Sequence, residues 1–311
     1  MARKIIIDTD PGQDDAVAIL LALAAPELEV LGITAVAGNV PLALTAANAL
    51  KICELAGRRD VPVFAGAARP MVRDLVTAEY VHGASGLDGP DLPEPTLALQ
   101  PAHAVDFIVE TLRAAAPQEV TLCTLGPLTN VALAFNRAPD IVPKLREIVA
   151  MGGGLFEGGN TTPAAEFNIY VDPHAADVVF RAGCPITLMP LDVTHKCLTT
   201  AARVAQFRAL GSAVGDAVAD LLDFFERFDE AKYGTDGGPL HDPNVIAWLL
   251  RPELYGGRDI NVEIETASPL TMGMTVADWW GVADRPANTH YVRDVDADGF
   301  FALLLDRIAR L

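Results

Sequence analysis

Short apolar runs alternate with longer stretches of helical periodicity along almost the whole chain. The first run, Lys4–Asp8, is followed by a turn at Pro11-Gly12 and by a helical pattern from Asp14 to about Ala25. The next run, Glu29–Ala37, repeats this order. Strands that are apolar on both faces, each followed by a helix, are typical of a parallel sheet covered on both sides. The pattern predicts an α/β, Rossmann-like fold with a largely parallel central sheet and helices on both faces.

The remaining elements continue this alternation to the C-terminus. Predicted strands are Val61–Phe64, Glu119–Leu125, Ile148–Met151, Ile186–Leu191, Asn261–Glu265, Gly273–Val276 and His290–Val295. Predicted helices are Pro41–Ala56, His103–Ala115, Pro127–Asn136, Pro173–Ala182, Thr200–Leu210, Val214–Tyr233, Pro243–Leu250 and Ala297–Arg310. The segment Leu75–Pro101 is rich in Gly and Pro, which predicts a long functional loop. No linker or repeat interrupts the pattern, so residues 1–311 are expected to form one domain.

The charge balance excludes several classes of partner. The 311 residues include 41 Asp and Glu against 23 Lys and Arg, which gives a formal net charge of −18. Proteins that bind DNA, RNA or an anionic membrane surface present clustered Lys and Arg. We therefore expect neither a nucleic-acid polymer nor a membrane as a partner. An apolar fraction of 51% also argues against a disordered chain.

The apolar segments and the cysteines point to a cytoplasmic protein. The longest clean apolar run, Ala16–Ala25, is too short to cross a bilayer. The N-terminus passes directly into a strand pattern, without the features of a signal peptide. The four cysteines are far apart and show no C-x-x-C spacing, so they are expected to be reduced thiols in the core. They are Cys53, Cys123, Cys184 and Cys197.

Four aspartates fall within eight residues after the first predicted strand, in the sequence D-T-D-P-G-Q-D-D. They are Asp8, Asp10, Asp14 and Asp15. Helix capping explains one or two carboxylates in a first turn, but it does not explain four. Like charges packed this closely repel each other unless they are protonated or neutralised by a cation. Because Ca²⁺ and Mg²⁺ prefer oxygen ligands, the cluster predicts a metal site at the carboxyl end of the first strand.

Other loops at the carboxyl ends of strands supply neutral amides, carboxylates and a histidine. In open α/β sheets, ligands bind at this edge. The residues are Asn39 after the second strand, Asn160, Glu166 and Asn168 after Met151-Gly152-Gly153-Gly154, and His241-Asp242 before a late helix. A backbone carbonyl in Leu125-Gly126-Pro127 could also face the metal. An acidic site without Lys or Arg suits an uncharged, polyhydroxylated ligand.

These motifs together resemble the inosine–uridine-preferring nucleoside hydrolase family. The resemblance runs through D-T-D-P-G-Q-D-D-A, V-A-G-N, L-G-P-L-T-N, M-G-G-G, N-T-T-P-A-A-E-F-N and H-D-P, over essentially the whole chain. It implies a homodimeric or homotetrameric α/β enzyme that binds Ca²⁺ and hydrolyses the N-glycosidic bond of ribonucleosides, with a role in nucleoside salvage.

The resemblance also assigns roles to individual residues. Asp10, Asp15, Asp242 and the main-chain carbonyl of Leu125 match the family's metal ligands. Asp10 also matches the general base that acts on a metal-held water, and Asp8 matches a position that orients the ligands. Asp14, Asn39, Asn160, Glu166 and Asn168 match the ribose-binding set. His241 matches the base-facing histidine, as proton donor to the leaving base or as an orienting group, and His82 matches a loop close to the nucleobase.

One departure and two alternatives bear on this interpretation. Some members carry a tyrosine on the helix before the histidine motif, where this chain reads Phe224-Phe225-Glu226-Arg227-Phe228, with Tyr233 further on. That difference leaves the preferred base open. A strand ending in D-x-D also occurs in haloacid-dehalogenase phosphohydrolases, although Pro11-Gly12 fits that family poorly. The second alternative is a protein that binds nucleosides or sugars without catalysis.

Overall fold

The computed structural model describes residues 2–234 and 236–311. The described strands are β1 (Arg3–Thr9), β2 (Leu28–Ala35), β3 (Val63–Ala65), β4 (Val120–Thr124), β5 (Leu145–Met151), β6 (Ile186–Met189), β7 (Tyr255–Ile260), β8 (Val262–Ile264), β9 (Thr275–Ala277) and β10 (Thr289–Val295). The described α-helices are α1 (Gln13–Ala24), α2 (Leu42–Leu55), α3 (Glu79–His82), α4 (Ala104–Ala114), α5 (Thr129–Arg137), α6 (Phe167–Val171), α7 (Pro173–Phe180), α8 (Leu191–Thr194), α9 (Ala201–Arg208), α10 (Ala213–Tyr233), α11 (Pro243–Leu250) and α12 (Ala297–Ile308). Two 3₁₀ helices lie at Pro139–Lys144 and Pro252–Leu254.

Eight strands form one sheet in the order β3-β2-β1-β4-β5-β6-β10-β7. Every neighbouring pair is parallel except β10 and β7, which run antiparallel at one edge. The α/β class and the largely parallel sheet predicted from the sequence are therefore confirmed. The antiparallel pair β8 and β9 forms a separate two-stranded sheet.

Both faces of the sheet are buried, and the side chains of a single strand show why. In β1, Ile5 and Ile7 belong to one hydrophobic core and Ile6 belongs to the other, and all three are fully buried. Helices α1, α2, α11 and α12 cover the first face, and α4, α5 and α7 cover the second. Because alternate residues of a strand point to opposite faces, a continuous apolar run is the sequence signature of such a strand.

The order of the strands determines where a ligand can bind. From β1 the chain builds outward through β2 and β3, and it then returns to place β4 on the other side of β1. Such a reversal leaves a crevice at the carboxyl ends of the two central strands. The loops that follow Thr9 and Thr124 flank this crevice. The predicted acidic cluster and Leu125 therefore lie at the same edge of the sheet.

Several predicted elements differ from the structure. The predicted strands Asn261–Glu265 and Gly273–Val276 exist in shortened form, but they pair only with each other. Strand β7 was not predicted, because Gly256 and Gly257 dilute its apolar pattern. The predicted loop Leu75–Pro101 is mostly irregular and contains the short helix α3.

Two further expectations concern the cysteines and the membrane. All four cysteines are buried free thiols, as predicted. Among the described residues, no helix is both long and apolar enough to cross a membrane.

Candidate active site

Asp10 occupies the crevice directly after β1 and is completely buried. The backbone N–H of Asn39 donates to its Oδ2 at 2.7 Å, and the Asn39 side chain donates to its main-chain carbonyl at 3.1 Å. The other carboxylate oxygen, Oδ1, is buried and has no hydrogen-bond partner in the described part of the chain. Asn39 therefore fixes the carboxylate in position, and one oxygen stays without a partner among the described residues.

Two glycines allow the backbone to approach this carboxylate closely. A Cβ placed on Gly38 would lie 2.0 Å from Oδ2 of Asp10, and one on Gly126 would lie 2.1 Å from Oδ1. Neither distance is compatible with a side chain larger than hydrogen. This contact gives a physical reason for the glycines in V-A-G-N and L-G-P-L-T-N.

Three further aspartates form a compact acidic triad beside Asp10. One carboxylate oxygen each from Asp14, Asp15 and Asp242 lies within 4.8 Å of the others, and all three residues are buried. Asp15 accepts from the Thr9 hydroxyl and from the backbone N–H of Gly12 at 2.9 Å. The amino-terminal end of α1 supplies two members of the triad, and the residue before α11 supplies the third.

The triad differs in one member from the ligand set predicted from the sequence. Asp15 and Asp242 belong to both sets, whereas Asp14, expected at the ribose, takes the third place in the triad. Asp10 lies next to the triad, and the Asn39 side-chain amide that contacts its main chain also donates to Asp15 at 3.3 Å. The metal role of Asp10 stays a prediction.

The electrostatics of this cluster favour a bound cation. Burial, followed by the neighbouring carboxylates, raises the pKa of Asp10 and Asp242 well above the usual range. Burial also raises the pKa of Asp15. None of the described residues that line the adjoining cavity is Lys or Arg. Since unpaired carboxylates in a buried site require neutralisation, the donor set and the orphaned Oδ1 of Asp10 fit a hard divalent cation.

On the other side of the crevice, polar side chains organise the loop after β5. The side-chain amide of Asn168 donates to the carbonyl of Leu125 at 2.6 Å, so that carbonyl points into the site. Glu166 accepts from the backbone N–H groups of Gly153 and Asn168, each at 2.9 Å, and of Ile169 at 3.2 Å. Burial raises the pKa of Glu166 to about 7.

Two histidines border the cavity on either side of Phe225. His241 Nδ1 lies 2.7 Å from the Thr194 hydroxyl, and His82 Nδ1 lies 2.6 Å from Oε1 of Gln13. The ring of Phe225 stacks on His82 with centroids 5.6 Å apart and meets the edge of His241 at 6.3 Å. The two imidazoles and the phenyl ring form a partly aromatic wall suited to a planar base.

The cavity lies between the acidic cluster, the loop after β5 and the two histidines. The structure brings most of the predicted site residues to its surface. They are Asp14, Asn39, His82, Leu125, Asn160, Glu166, Asn168, His241 and Asp242. Asp10 and Asp15 are buried beneath this surface and do not line it. Tyr233, which the sequence analysis named after the stretch Phe224–Phe228, lies in α10, but its side chain is outside the described part of the structure.

Asp8 lies within β1, just before Asp10 in the chain. It is fully buried, and it accepts from Thr34 at 2.6 Å and from the Asn130 side chain at 2.8 Å. Asn130 also accepts from the backbone N–H of Ala67 at 2.8 Å. Burial raises the pKa of Asp8 to about 7. These contacts join β1, β2 and α5 beneath the site.

Sequence reasoning missed several residues that hold the site together. Gln13 stands in the acidic run and Asn130 in L-G-P-L-T-N, and the sequence assigns a role to neither. Phe225 was noted only as a departure from a tyrosine. Asp192 accepts from the backbone N–H groups of residues 155–157 and from the Tyr291 hydroxyl, and so it fixes the loop that leads to Asn160. For Asn130, a polar residue at the start of a helix after a buried strand was the available signal.

A largely parallel sheet with an acidic, metal-compatible cavity at its switch point is typical of α/β enzymes that act on small molecules. The family model for inosine-uridine preferring nucleoside hydrolases matches residues 5–302, and the chain belongs to this family. It is a ribonucleoside hydrolase by family.

Individual relatives agree with this membership. An uncharacterised protein of Schizosaccharomyces pombe is 56% identical over 308 residues, which is 99% of each chain. The pyrimidine-specific ribonucleoside hydrolase RihA of Salmonella typhimurium is 50% identical over 309 residues, again 99% of each. The solved purine-preferring ribonucleoside hydrolase of Gardnerella vaginalis superimposes with a TM-score of 0.92 at 34% identity, over 99% of this chain and 98% of the other.

Proposed function

We propose that this enzyme hydrolyses the N-glycosidic bond of ribonucleosides in a Ca²⁺-dependent reaction, with Asp10 as the general base. The observation that carries the proposal is the Asp10 carboxylate: Asn39 holds one oxygen, while the other is buried without a partner among the described residues. A carboxylate that a bound cation keeps ionised can accept a proton from a neighbouring water.

Asp10, Asp15, Asp242 and the Leu125 carbonyl would hold the cation, and Asp14 lies close enough to the cluster to contribute. A bound Ca²⁺ would supply positive charge that orients and acidifies a water and the ribose hydroxyls. The oxygen-only donor set supports a hard cation, and the preference for Ca²⁺ over Mg²⁺ comes from the family resemblance.

The chain's own residues account for the rest of the reaction. Asp10 accepts a proton as the water oxygen bonds to C1′ and the bond from C1′ to the base nitrogen breaks. The departing base takes up one proton, so the products are ribose and free base. Asn160, Glu166 and Asn168 anchor the ribose and keep C1′ near the water. His241 donates the proton to the base or orients it.

The names of the relatives suggest an order of substrates. The relative at 50% identity is pyrimidine-specific, whereas the solved structure at 34% identity is purine-preferring. We therefore propose uridine and cytidine as the preferred substrates. Four buried free cysteines support a cytoplasmic location. A dimer or tetramer is proposed from the family resemblance, and residues 1–311 are proposed to form one domain, because a single sheet uses strands from Arg3 to Val295.

One assay tests the activity directly. The protein is incubated with uridine, cytidine, inosine, adenosine and their nucleotides, with and without a chelator, and free ribose and phosphate are measured. We expect chelator-sensitive ribose release from nucleosides. Phosphate release alone would favour a phosphohydrolase, and binding without products would favour a binder. A higher rate on the purine nucleosides than on the pyrimidine nucleosides would contradict only the proposed base preference.

A nucleoside 5′-monophosphate should be a far poorer substrate than its parent nucleoside. The described residues around the cavity include buried carboxylates and no Lys or Arg, so a phosphate would lose its hydration without gaining a cationic partner. We expect kcat/KM for uridine to exceed that for uridine 5′-monophosphate by at least about 100-fold, since roughly 1.4 kcal/mol accounts for each factor of ten. Comparable values for the two compounds, measured by ribose or ribose-phosphate release, would contradict this account of the cavity.

A further inference from the structure

Gln13 connects the acidic loop to His82 in the cavity wall. Its side-chain nitrogen Nε2 donates to the main-chain carbonyls of His82 and Asp88, each at 3.0 Å. Its oxygen Oε1 lies 2.6 Å from Nδ1 of His82. Gln13 is completely buried, and its two contacts with His82 form away from water.

The two carbonyls determine which way the amide of Gln13 points. If the amide were turned over, its oxygen would face two carbonyl oxygens at 3.0 Å and its NH₂ group would face the imidazole. Only the present orientation gives each carbonyl a donor, so the hydrogen-bond network assigns Oε1 to the side of His82. An amide oxygen can only accept, and Nδ1 of His82 must therefore carry the proton.

The tautomer of His82 follows from this contact. Burial lowers the pKa of His82 to about 3, so the ring is neutral at physiological pH. A neutral imidazole with its proton on Nδ1 has a lone pair on Nε2 and no proton there. Nε2 has no hydrogen-bond partner in the described part of the chain, and the small accessible part of His82, 7% of the residue, belongs to the cavity wall.

Packing holds the ring in this orientation. Phe225 stacks on one side with an interplanar angle of 28°. A Cβ on Gly12 would lie 2.4 Å from Nδ1, so the backbone of the acidic loop also touches the ring. The imidazole cannot turn over without breaking the bond to Gln13 and displacing both neighbours.

We infer that Gln13 is a positioning residue that fixes His82 as a hydrogen-bond acceptor, and that His82 thereby selects nucleobases that present an N–H group to it. Such groups are the N3–H of uracil, the amino group of cytosine, and the N1–H of hypoxanthine. In this role His82 does not supply the proton to the leaving base, which leaves that task to His241 or to water. The inference deepens the proposed function and rests on it for the identity of the ligand.

The tautomer can be observed without any turnover. In protein labelled with ¹⁵N-histidine, long-range ¹H–¹⁵N correlation spectra show which nitrogen of each ring carries the proton, and His82→Phe identifies the signal among six histidines. We expect His82 to be the neutral Nδ1–H form throughout pH 6–8. A proton on Nε2, or a mixture of the two forms, would overturn the inference.

Kinetics with methylated nucleosides test the selection of an N–H donor. For the wild-type enzyme, KM for 3-methyluridine should be about three- to ten-fold higher than for uridine, the loss expected for one hydrogen bond. 5-Methyluridine, which keeps its N3–H, should remain within about two-fold. Inosine and 1-methylinosine provide the matching pair if purines are preferred. Equal KM values for the methylated and parent compounds would contradict the inference.

Two variants connect Gln13 to this selection. Gln13→Met keeps the size of the side chain and removes its acceptor, and His82→Phe keeps the ring stack and removes both nitrogens. Each should bring the KM ratio of 3-methyluridine to uridine close to one, and the double variant should change it no further. If Gln13→Met lowers turnover on both nucleosides equally and leaves the ratio unchanged, Gln13 has only a structural role. Failure of the wild-type enzyme to release ribose would reject the proposed function, while the spectra would still decide the tautomer.

Discussion

Replacing Asp10 with Asn should lower kcat for uridine by about 10²–10⁴-fold, the usual contribution of a general base. An amide has nearly the same shape as the carboxylate, so its oxygen can still accept from the backbone N–H of Asn39. Gly38 and Gly126 leave little room for the side chain to move, and the altered group should occupy the same position. The variant should therefore fold, and the loss should fall on the chemical step.

A second aspartate provides the matched control. Asp172 is also fully buried, and it accepts from the backbone N–H of Met71 and from the Thr129 hydroxyl, but it does not line the cavity. Asp172→Asn should lower Tm and leave kcat within a few-fold of the wild-type value. Because Asp10 is also a proposed metal ligand, kcat is compared at saturating Ca²⁺. The shift in Tm on addition of Ca²⁺ measures cation binding. An Asp10→Asn enzyme that binds Ca²⁺ and keeps full turnover would remove Asp10 from the role of base.

The general architecture was predictable because its cause is local in sequence. Short apolar runs bounded by turn signals favour strands that are buried on both faces, and β1 and β4 are such strands. The edge strand β7 was not predictable in this way. It is half exposed, contains two adjacent glycines, and is defined mainly by its pairing with β10. Its register depends on a contact between distant parts of the chain.

The site was predictable to the extent that its residues follow strands. Asp10 and Leu125 come directly after β1 and β4, Asn39 lies in the loop after β2, and parallel strands bring their carboxyl ends together. The contacts that set tautomers and orientations were not predictable. Gln13 meets His82 across 69 positions of sequence, and no periodicity encodes that distance. The placement of Asp14 in the acidic triad likewise depends on Asp242, which comes from the other end of the chain.

Removal of the divalent cation should destabilise the folded protein, and the effect should grow with pH. Burial raises the pKa of Asp10, Asp15 and Asp242. Between the ordinary carboxyl pKa of about 4 and these raised values, the folded cation-free chain binds more protons than the unfolded chain. Its free energy of unfolding therefore falls as the pH rises through this window. Asp8 and Glu166, each with a pKa raised to about 7, extend the fall to at least neutral pH.

With Ca²⁺ bound, the clustered carboxylates stay ionised in the folded state, and the part of the fall in stability that they cause should disappear. The part that Asp8 and Glu166 cause should remain. At a cation concentration 1,000-fold above Kd the stabilisation is about 4 kcal/mol, or roughly 5–10 °C in Tm for a chain of this size. Thermal unfolding between pH 5 and 8, with Ca²⁺, with Mg²⁺ and with chelator, measures the effect.

Two aspartate variants determine whether the acidic triad is the source of this stabilisation. Asp242→Asn removes one of the clustered charges, so its cation-free Tm should depend less on pH and its response to Ca²⁺ should be weak. Asp216→Asn, at an exposed aspartate on α10, should respond to Ca²⁺ like the wild type. If the wild-type Tm at pH 8 is the same with Ca²⁺ and with chelator, the buried carboxylates are not neutralised by a metal ion. In that case the carboxylates would be neutralised by protonation. A protonated Asp10 would be a weaker candidate for the general base.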